Sequence, residues 1–188
     1  LETDRRLIAQ RIRQIKSRLV KVGKQRDQGR RSRQRADVPT VSLVGYTNAG
    51  KSSLFNSLAG AHTYAADQLF ATLDSTLRRV SVPNFGPAIF ADTVGFISHL
   101  PHKLVAAFRA TLEETIQANL LLHIIDVSNE QHEFCTEQVE EVLTEIGADD
   151  VPCLRVYNKI DLLEPREPFI ERNEQGQPIR VWVSAKTG

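Results

Sequence analysis

A chain of 188 residues with 24 Lys/Arg, 23 Asp/Glu and 41% hydrophobic residues suffices for one globular domain plus an appendage. Its net charge of +1 hides a segregation: residues 1–37 hold 13 Lys/Arg against 4 Asp/Glu, a local charge of +9, and the remainder carries −8. Two cysteines exclude a disulfide framework and no apolar run is long enough to span a bilayer, so a soluble, cytoplasmic protein, monomeric in solution, is expected.

The first segment reads as a helix. Ile8, Ile12, Ile15, Leu19 and Val22 recur at spacings of four, three, four and three, a heptad-like seam flanked by basic and polar residues. Such a seam needs a partner, and no second helix outside the following domain carries a matching stripe. The chain therefore reads as a fragment whose missing N-terminal part supplies an antiparallel helix. Residues 1–37 are expected to be the basic end of a helical subdomain, and the polar stretch Gly23–Val38 a linker that is disordered without RNA. A basic arm beside an acidic domain suits an RNA partner, because it supplies sequence-independent phosphate affinity.

Residues 38–188 alternate strand and helix. Strands are predicted at Thr40–Val44, Leu77–Val82, Ala88–Ala91, Leu120–Asp126, Pro152–Tyr157 and Ile179–Val183, with helices at Lys51–Ala59, Lys103–Ala118 and Glu130–Ile146. This is the pattern of an α/β, doubly wound, mostly parallel sheet with ligand loops at the strands' C-terminal ends. The strands either side of Pro83-Asn84-Phe85-Gly86 are expected to form a hairpin, which makes one edge antiparallel. Cys153 falls in a buried strand pattern and Cys135 early in a helix. Between Leu162 and Ile179 there is little helical periodicity where such folds have a helix, so a short mobile segment is expected. The chain stops at Gly188, before the helix that usually completes the domain, and a truncated domain of reduced stability is the expectation.

The chemistry starts at Gly45-Tyr46-Thr47-Asn48-Ala49-Gly50-Lys51-Ser52, a phosphate-binding loop set between a strand and a helix whose next residue is Ser53. Backbone N–H groups and the positive end of the helix converge on phosphate there, and glycine lets the backbone approach closely. Lys51 is placed to reach the β- and γ-phosphates and the Ser52 hydroxyl to ligate Mg²⁺. Asp92-Thr93-Val94-Gly95 follows a second strand, with Asp92 suited to hold Mg²⁺ through water and the Gly95 N–H to meet the γ-phosphate. Asn158-Lys159-Ile160-Asp161 closes a third. A carboxylate at Asp161 accepts from the ring N–H and exocyclic amine of guanine together, a pairing that discriminates against adenine by roughly 10⁴-fold or more. Asn158 is expected to tie this loop to the phosphate loop, the Lys159 stem to cover one face of the base, and the backbone of Ser184-Ala185-Lys186 to contact guanine O6. These residues specify a GTP/GDP site and argue against an ATP-dependent kinase.

In this order the four motifs look like those of translation-factor-class GTPases. Glu2-Thr3-Asp4-Arg5-Arg6, Phe70-Ala71-Thr72-Leu73-Asp74 and the run from Asp92 through Phe96-Ile97, Leu100-Pro101-His102 and Ala107-Phe108-Arg109-Ala110-Thr111-Leu112-Glu113-Glu114 closely resemble the HflX family of ribosome-associated GTPases. Phe-Ala-Thr-Leu is also similar to the switch of Obg-type GTPases, which act in ribosome assembly. The resemblance implies that Thr72, with Thr76 as runner-up, supplies a hydroxyl to Mg²⁺ and an N–H to the γ-phosphate. It implies a catalytic set of Lys51, Thr72 and Gly95 with Phe96 where many GTPases carry a water-orienting glutamine. It implies slow intrinsic hydrolysis, a 50S subunit and ribosomal RNA as the activating partner, and a part in splitting or rescuing stalled ribosomes. Asn48 stands where potassium-activated GTPases coordinate K⁺, although asparagine also suits a left-handed turn. A nucleotide-gated RNA-binding module is the alternative from another class. Arg109 reads as a solvated helix residue, His99 and His102 as surface residues, and His62, His123 and His132 carry no signal.

Overall fold

The computed structural model describes residues 5–15, 17, 18, 21, 28, 38–60, 76–96, 112–163 and 167–187. The chain divides into two compact units, Leu1–Val38 and Pro39–Gly188. In the first, residues 5–15 are helical, as the apolar seam requires, with Leu7, Ile8, Ile12 and Ile15 between 47% and 61% exposed. Leu19 and Val22 lie outside the described residues, as does almost all of the expected linker.

The second unit is built on seven strands: β1 (Thr40–Val44), β2 (Thr76–Val82), β3 (Gly86–Asp92), β4 (Leu120–Asp126), β5 (Cys153–Asn158), β6 (Phe169–Arg172) and β7 (Pro178–Trp182). Their order across the sheet is β2-β3-β1-β4-β5-β7-β6, parallel except for the outermost pair at each edge. β1 and β4 are central and read as near-continuous apolar runs because both of their faces are covered. Helix α1 (Lys51–Ala59) packs Leu54 and Phe55 on one face against Leu43, Leu122, Ile124 and Val156. Helix α2 (His132–Glu145) packs Val139, Val142 and Leu143 on the other against Val44, Leu121 and Leu112. Neighbouring Leu121 and Leu122 thus serve opposite cores, as the two-residue period of a strand dictates. Residues 112–116 are helical, and the rest of the helix expected over Lys103–Ala118 lies outside the described residues.

The hairpin at the β2 edge forms as expected, with Asn84 (φ 61°) and Gly86 (φ 110°) taking the left-handed positions of its turn. The opposite edge differs from expectation. In place of a mobile segment, Phe169–Arg172 pairs antiparallel with β7 around a turn in which Asn173 Oδ1 accepts from the N–H groups of Gln175 and Gln177 and Gly176 takes φ 77°. Phe169 stacks on Trp182 at 4.2 Å and Trp182 on Tyr157 at 4.8 Å, an aromatic row across three adjacent strands. Helix α2 starts two residues later than predicted because Asn129 turns the chain first: its Oδ1 accepts from Gln131 N–H at 3.0 Å. Cys153 is exposed at the start of β5, contrary to its strand pattern, and Cys135 is partly buried. Among the described residues no helix is long and apolar enough to cross a membrane.

Candidate functional site: four loops at one edge of the sheet

The loops that follow β1, β3, β5 and β7 all leave the same edge of the sheet. Gly45 (φ 148°) starts the first, and a Cβ there would lie 2.3 Å from the Ile124 carbonyl oxygen, so only glycine passes β4. Asn48 is exposed and left-handed (φ 61°), and Gly50 (φ 92°) turns the chain into α1, whose first turn has no side-chain cap. Uncapped N–H groups at the positive end of a helix form an anion site. Buried Lys51 donates to the carbonyls of Gly45 at 3.0 Å and Tyr46 at 2.8 Å. Burial lowers its pKa to about 8, partly offset by the charge of Asp92.

Ser52 Oγ donates to Asp92 Oδ2 at 2.7 Å, and Asp92 is buried at the end of β3. A hydroxyl and a carboxylate side by side at a phosphate loop are the hard oxygen donors that Mg²⁺ takes, so these residues fit the ion. Two backbone bonds zip this loop to the next: Phe96 N–H to Gly45 O at 3.1 Å and Thr47 N–H to Phe96 O at 2.9 Å. A Cβ on Gly95 would come within 2.9 Å of Thr47 Cγ2 and 3.1 Å of Lys51 Nζ, so glycine leaves the phosphate space open. The Phe96 ring turns away from that space and is buried in the core with Val44 and Leu112.

On the base side, Asn158 is the joint. Its Nδ2 donates to Ala49 O at 2.9 Å, and its Oδ1 accepts from Ala185 N–H at 2.9 Å, so one buried amide links three loops. Ser184 Oγ accepts from the N–H groups of Lys186 at 3.2 Å and Thr187 at 3.1 Å, which curls its loop beside Asn158. Asp161 stands exposed in the short 3₁₀ turn Ile160–Leu162, and Ser53 and Lys186 are exposed as well. Thr72 lies outside the described residues, as do His62, His99, His102 and Arg109. Thr76 opens β2 and faces Asp92 across the ladder, so it is part of the sheet and not of a loop.

Two residues of β4 escaped sequence reasoning. Asp126 Oδ2 accepts from Lys159 Nζ at 2.7 Å. His123 is buried beside a cavity of about 280 Å³ between the phosphate loop and α2, and its Nδ1 has no hydrogen-bond partner among the described residues. Burial, with Arg155 and then Lys51 nearby, lowers its pKa to about 4. Only the register Asp126↔Asn158 and His123↔Arg155 reveals these neighbours, and a single strand's sequence carries no sign of it.

A doubly wound sheet with an uncapped phosphate loop, a serine–aspartate pair and an asparagine-jointed base loop defines a P-loop GTPase domain. The family described as 50S ribosome-binding GTPase matches residues 40–159. GTPase HflX of Escherichia coli (strain K12) is 63% identical over 188 residues, 100% of this chain and 44% of its own length. The chain therefore belongs to the 50S ribosome-binding GTPase family and, within it, to the HflX group, and it spans under half the length of that relative. Among solved structures, SsGBP in complex with GDP is similar at 35% identity and a TM-score of 0.53, covering 68% of this chain and 36% of its own. Era in complex with MgGDPNP and nucleotides 1506–1542 of 16S ribosomal RNA is similar at 26% identity and a TM-score of 0.61, covering 80% of this chain and 52% of its own.

Proposed function

We propose that the chain is the guanine-nucleotide domain, residues 38–188 preceded by a basic helical segment, of a cytoplasmic ribosome-associated GTPase that splits or rescues stalled ribosomes. The reaction is hydrolysis of GTP to GDP and phosphate. The observation that carries the guanine reading is the Asn158 joint, which ties the phosphate loop at Ala49 to both base loops and leaves the Asp161 carboxylate on the open side. In that complex Lys51 exchanges two carbonyl partners for phosphate oxygens, and the Gly95 N–H and Thr72 meet the γ-phosphate. Ser52 and Asp92 hold Mg²⁺, which neutralises phosphate charge. Asp161 reads the guanine edge, Lys159 lies along the base, and the Ser184–Lys186 backbone meets O6.

Burial of the Phe96 ring supports slow hydrolysis by the chain alone, since no side chain at that position reaches an attacking water. The large ribosomal subunit and its RNA supply the missing element. The comparison is GTP turnover with and without 50S subunits. Stimulation on the order of 10³-fold, the scale of a catalytic element supplied in trans, is expected. Turnover unchanged by 50S, together with GTP-dependent co-sedimentation, would replace this reading by the nucleotide-gated RNA-binding module that the same Phe96 burial favours. Asn48 extends the proposal: exposed on the left-handed turn of the phosphate loop, its amide suits a K⁺ ion beside the phosphates. Faster turnover in K⁺ than in Na⁺ at matched ionic strength is expected, and equal rates remove the ion.

A further inference from the structure

Asp126 makes contacts that the nucleotide reading does not use. It is the last residue of β4, and its two oxygens serve two neighbours. Oδ1 accepts from the backbone N–H and the hydroxyl of Ser128, and Oδ2 accepts from Lys159 Nζ at 2.7 Å. The Lys159 and Asp126 side chains are 29% and 20% exposed, so water screens this pair less than an open surface pair. The carboxylate is held where it is by the sheet: Asp126 faces Asn158 in register, and Val127 N–H donates to Asn158 O at 3.1 Å.

Lys159 needs holding. Its backbone is left-handed at φ 68°, a conformation that a lysine keeps only where its surroundings impose it. The residues on either side are fixed through Asn158 and through Ile160 N–H to Val183 O at 3.3 Å. Neither contact restrains the long, rotamer-rich lysine stem, which is the part that covers the base. Among the described residues Asp126 alone takes the ammonium. A side chain ordered before the ligand arrives is not ordered at the ligand's expense, so it binds more tightly.

We propose that Asp126 is a positioning residue of the guanine-nucleotide site: through the Asp126–Lys159 pair it sets the lysine stem as a ready wall for the base and slows nucleotide release. The inference rests on the guanine-site reading above and adds a residue that touches no part of the nucleotide itself. Because both partners come from the ends of neighbouring strands, the wall is as rigid as the β4–β5 register.

The test is the dissociation rate of a fluorescent GDP analogue from the full chain, measured for Asp126→Asn, Lys159→Ala, the double variant and Ser128→Ala. Asp126→Asn keeps the shape and the turn at Ser128 but loses the charge that holds the ammonium. Release about threefold to tenfold faster is expected, the scale of one immobilised lysine. Release from the double variant should be no faster than from Lys159→Ala, since the aspartate acts only through the lysine. Ser128→Ala, which removes the hydroxyl contact of Asp126 and keeps the backbone N–H bond, should stay within about twofold of the parent, a bound set by the small effect of one exposed hydroxyl bond. If Lys159→Ala speeds release while Asp126→Asn does not, or if the two effects multiply in the double variant, the positioning role is overturned and the guanine site stands. If Lys159→Ala leaves release unchanged, the lysine is no wall and the positioning role falls while the guanine site stands; the guanine-site reading itself falls if Asp161→Ala, measured alongside, leaves GDP release unchanged.

Discussion

Lys51 keeps its ammonium inside the fold by donating to two carbonyl oxygens, and burial still lowers its pKa to about 8. A polyphosphate brought against Nζ favours the charged form and raises that pKa, so binding takes up a proton wherever the free protein holds Lys51 partly neutral. The sign follows. Below about pH 8 the charge is already present and affinity is flat; above it, affinity for GDP falls by up to about tenfold per pH unit. Free-protein stability moves the other way from about pH 8 to the ordinary lysine value of 10.5, because the unfolded chain binds the extra proton there. Calorimetric titration with GDP at pH 7.5 and 9.5 checks this, and Lys51→Arg, which does not titrate, should bind weakly but without the slope. A parent affinity that is level across this range excludes the coupling. The placement of Lys51, like that of Ser52 and Asn158, is legible in the sequence because it is written in the immediate neighbours. Asp126 and His123 are not, because the charged groups beside them, Lys159 and Arg155, come from β5 and the loop after it, and only register brings them together.

Strand β4 shows what register means for stability. Its seven residues, Leu-Leu-Leu-His-Ile-Ile-Asp, are apolar on both faces, and His123 is carried into the core with them at 1% exposure. With its pKa lowered to about 4, His123 is neutral in the native state throughout the neutral range. The unfolded chain protonates it below the ordinary value of 6.5, so the full native stability is present above pH 6.5 and is lost as pH falls toward 4. The loss is on the order of 3 kcal/mol for a shift of this size. His123→Leu should flatten that acid limb, and at pH 7 it should cost less than about 1 kcal/mol because the deleted Nδ1 has no partner to leave behind. Urea unfolding at pH 7 and pH 5 measures both, and an acid limb as steep as the parent's assigns the lability to other groups. Strands β1 and β4 are readable from their apolar runs, since both faces are buried, and helix α1 from the phosphate loop that precedes it. β6 is not. Four residues long and paired on one side only, it is held by the Phe169–Trp182 stack, a contact made with β7 across the Asn173–Gln177 turn.

At the scale of the whole chain, charge and chemistry are divided between the two units. The nucleotide loops belong to Pro39–Gly188, and the Leu1–Val38 unit holds most of the excess positive charge. A domain whose own charge is −8 is repelled by RNA, so the proposed ribosome association needs a separate source of phosphate affinity. On the proposed reading, residues 1–37, at +9, are the source, because counterion release depends on the number of phosphates neutralised and not on sequence. The division predicts separable effects. Replacing Arg30, Arg31, Arg33 and Arg35 with glutamine removes four positive charges outside the nucleotide unit. Binding to 50S subunits should weaken, and the slope of log affinity against log salt should become shallower by about 3, the value for four phosphate contacts to a single strand. GDP affinity should not change, since every residue assigned to the nucleotide lies beyond Val38. Filter binding to 50S across a salt series, paired with GDP titration of the same variant, reads both quantities. An unaltered salt slope would place the RNA contact on the nucleotide unit itself, where net negative charge confines it to a locally basic surface. A parallel loss of GDP affinity would overturn the separation of the two effects.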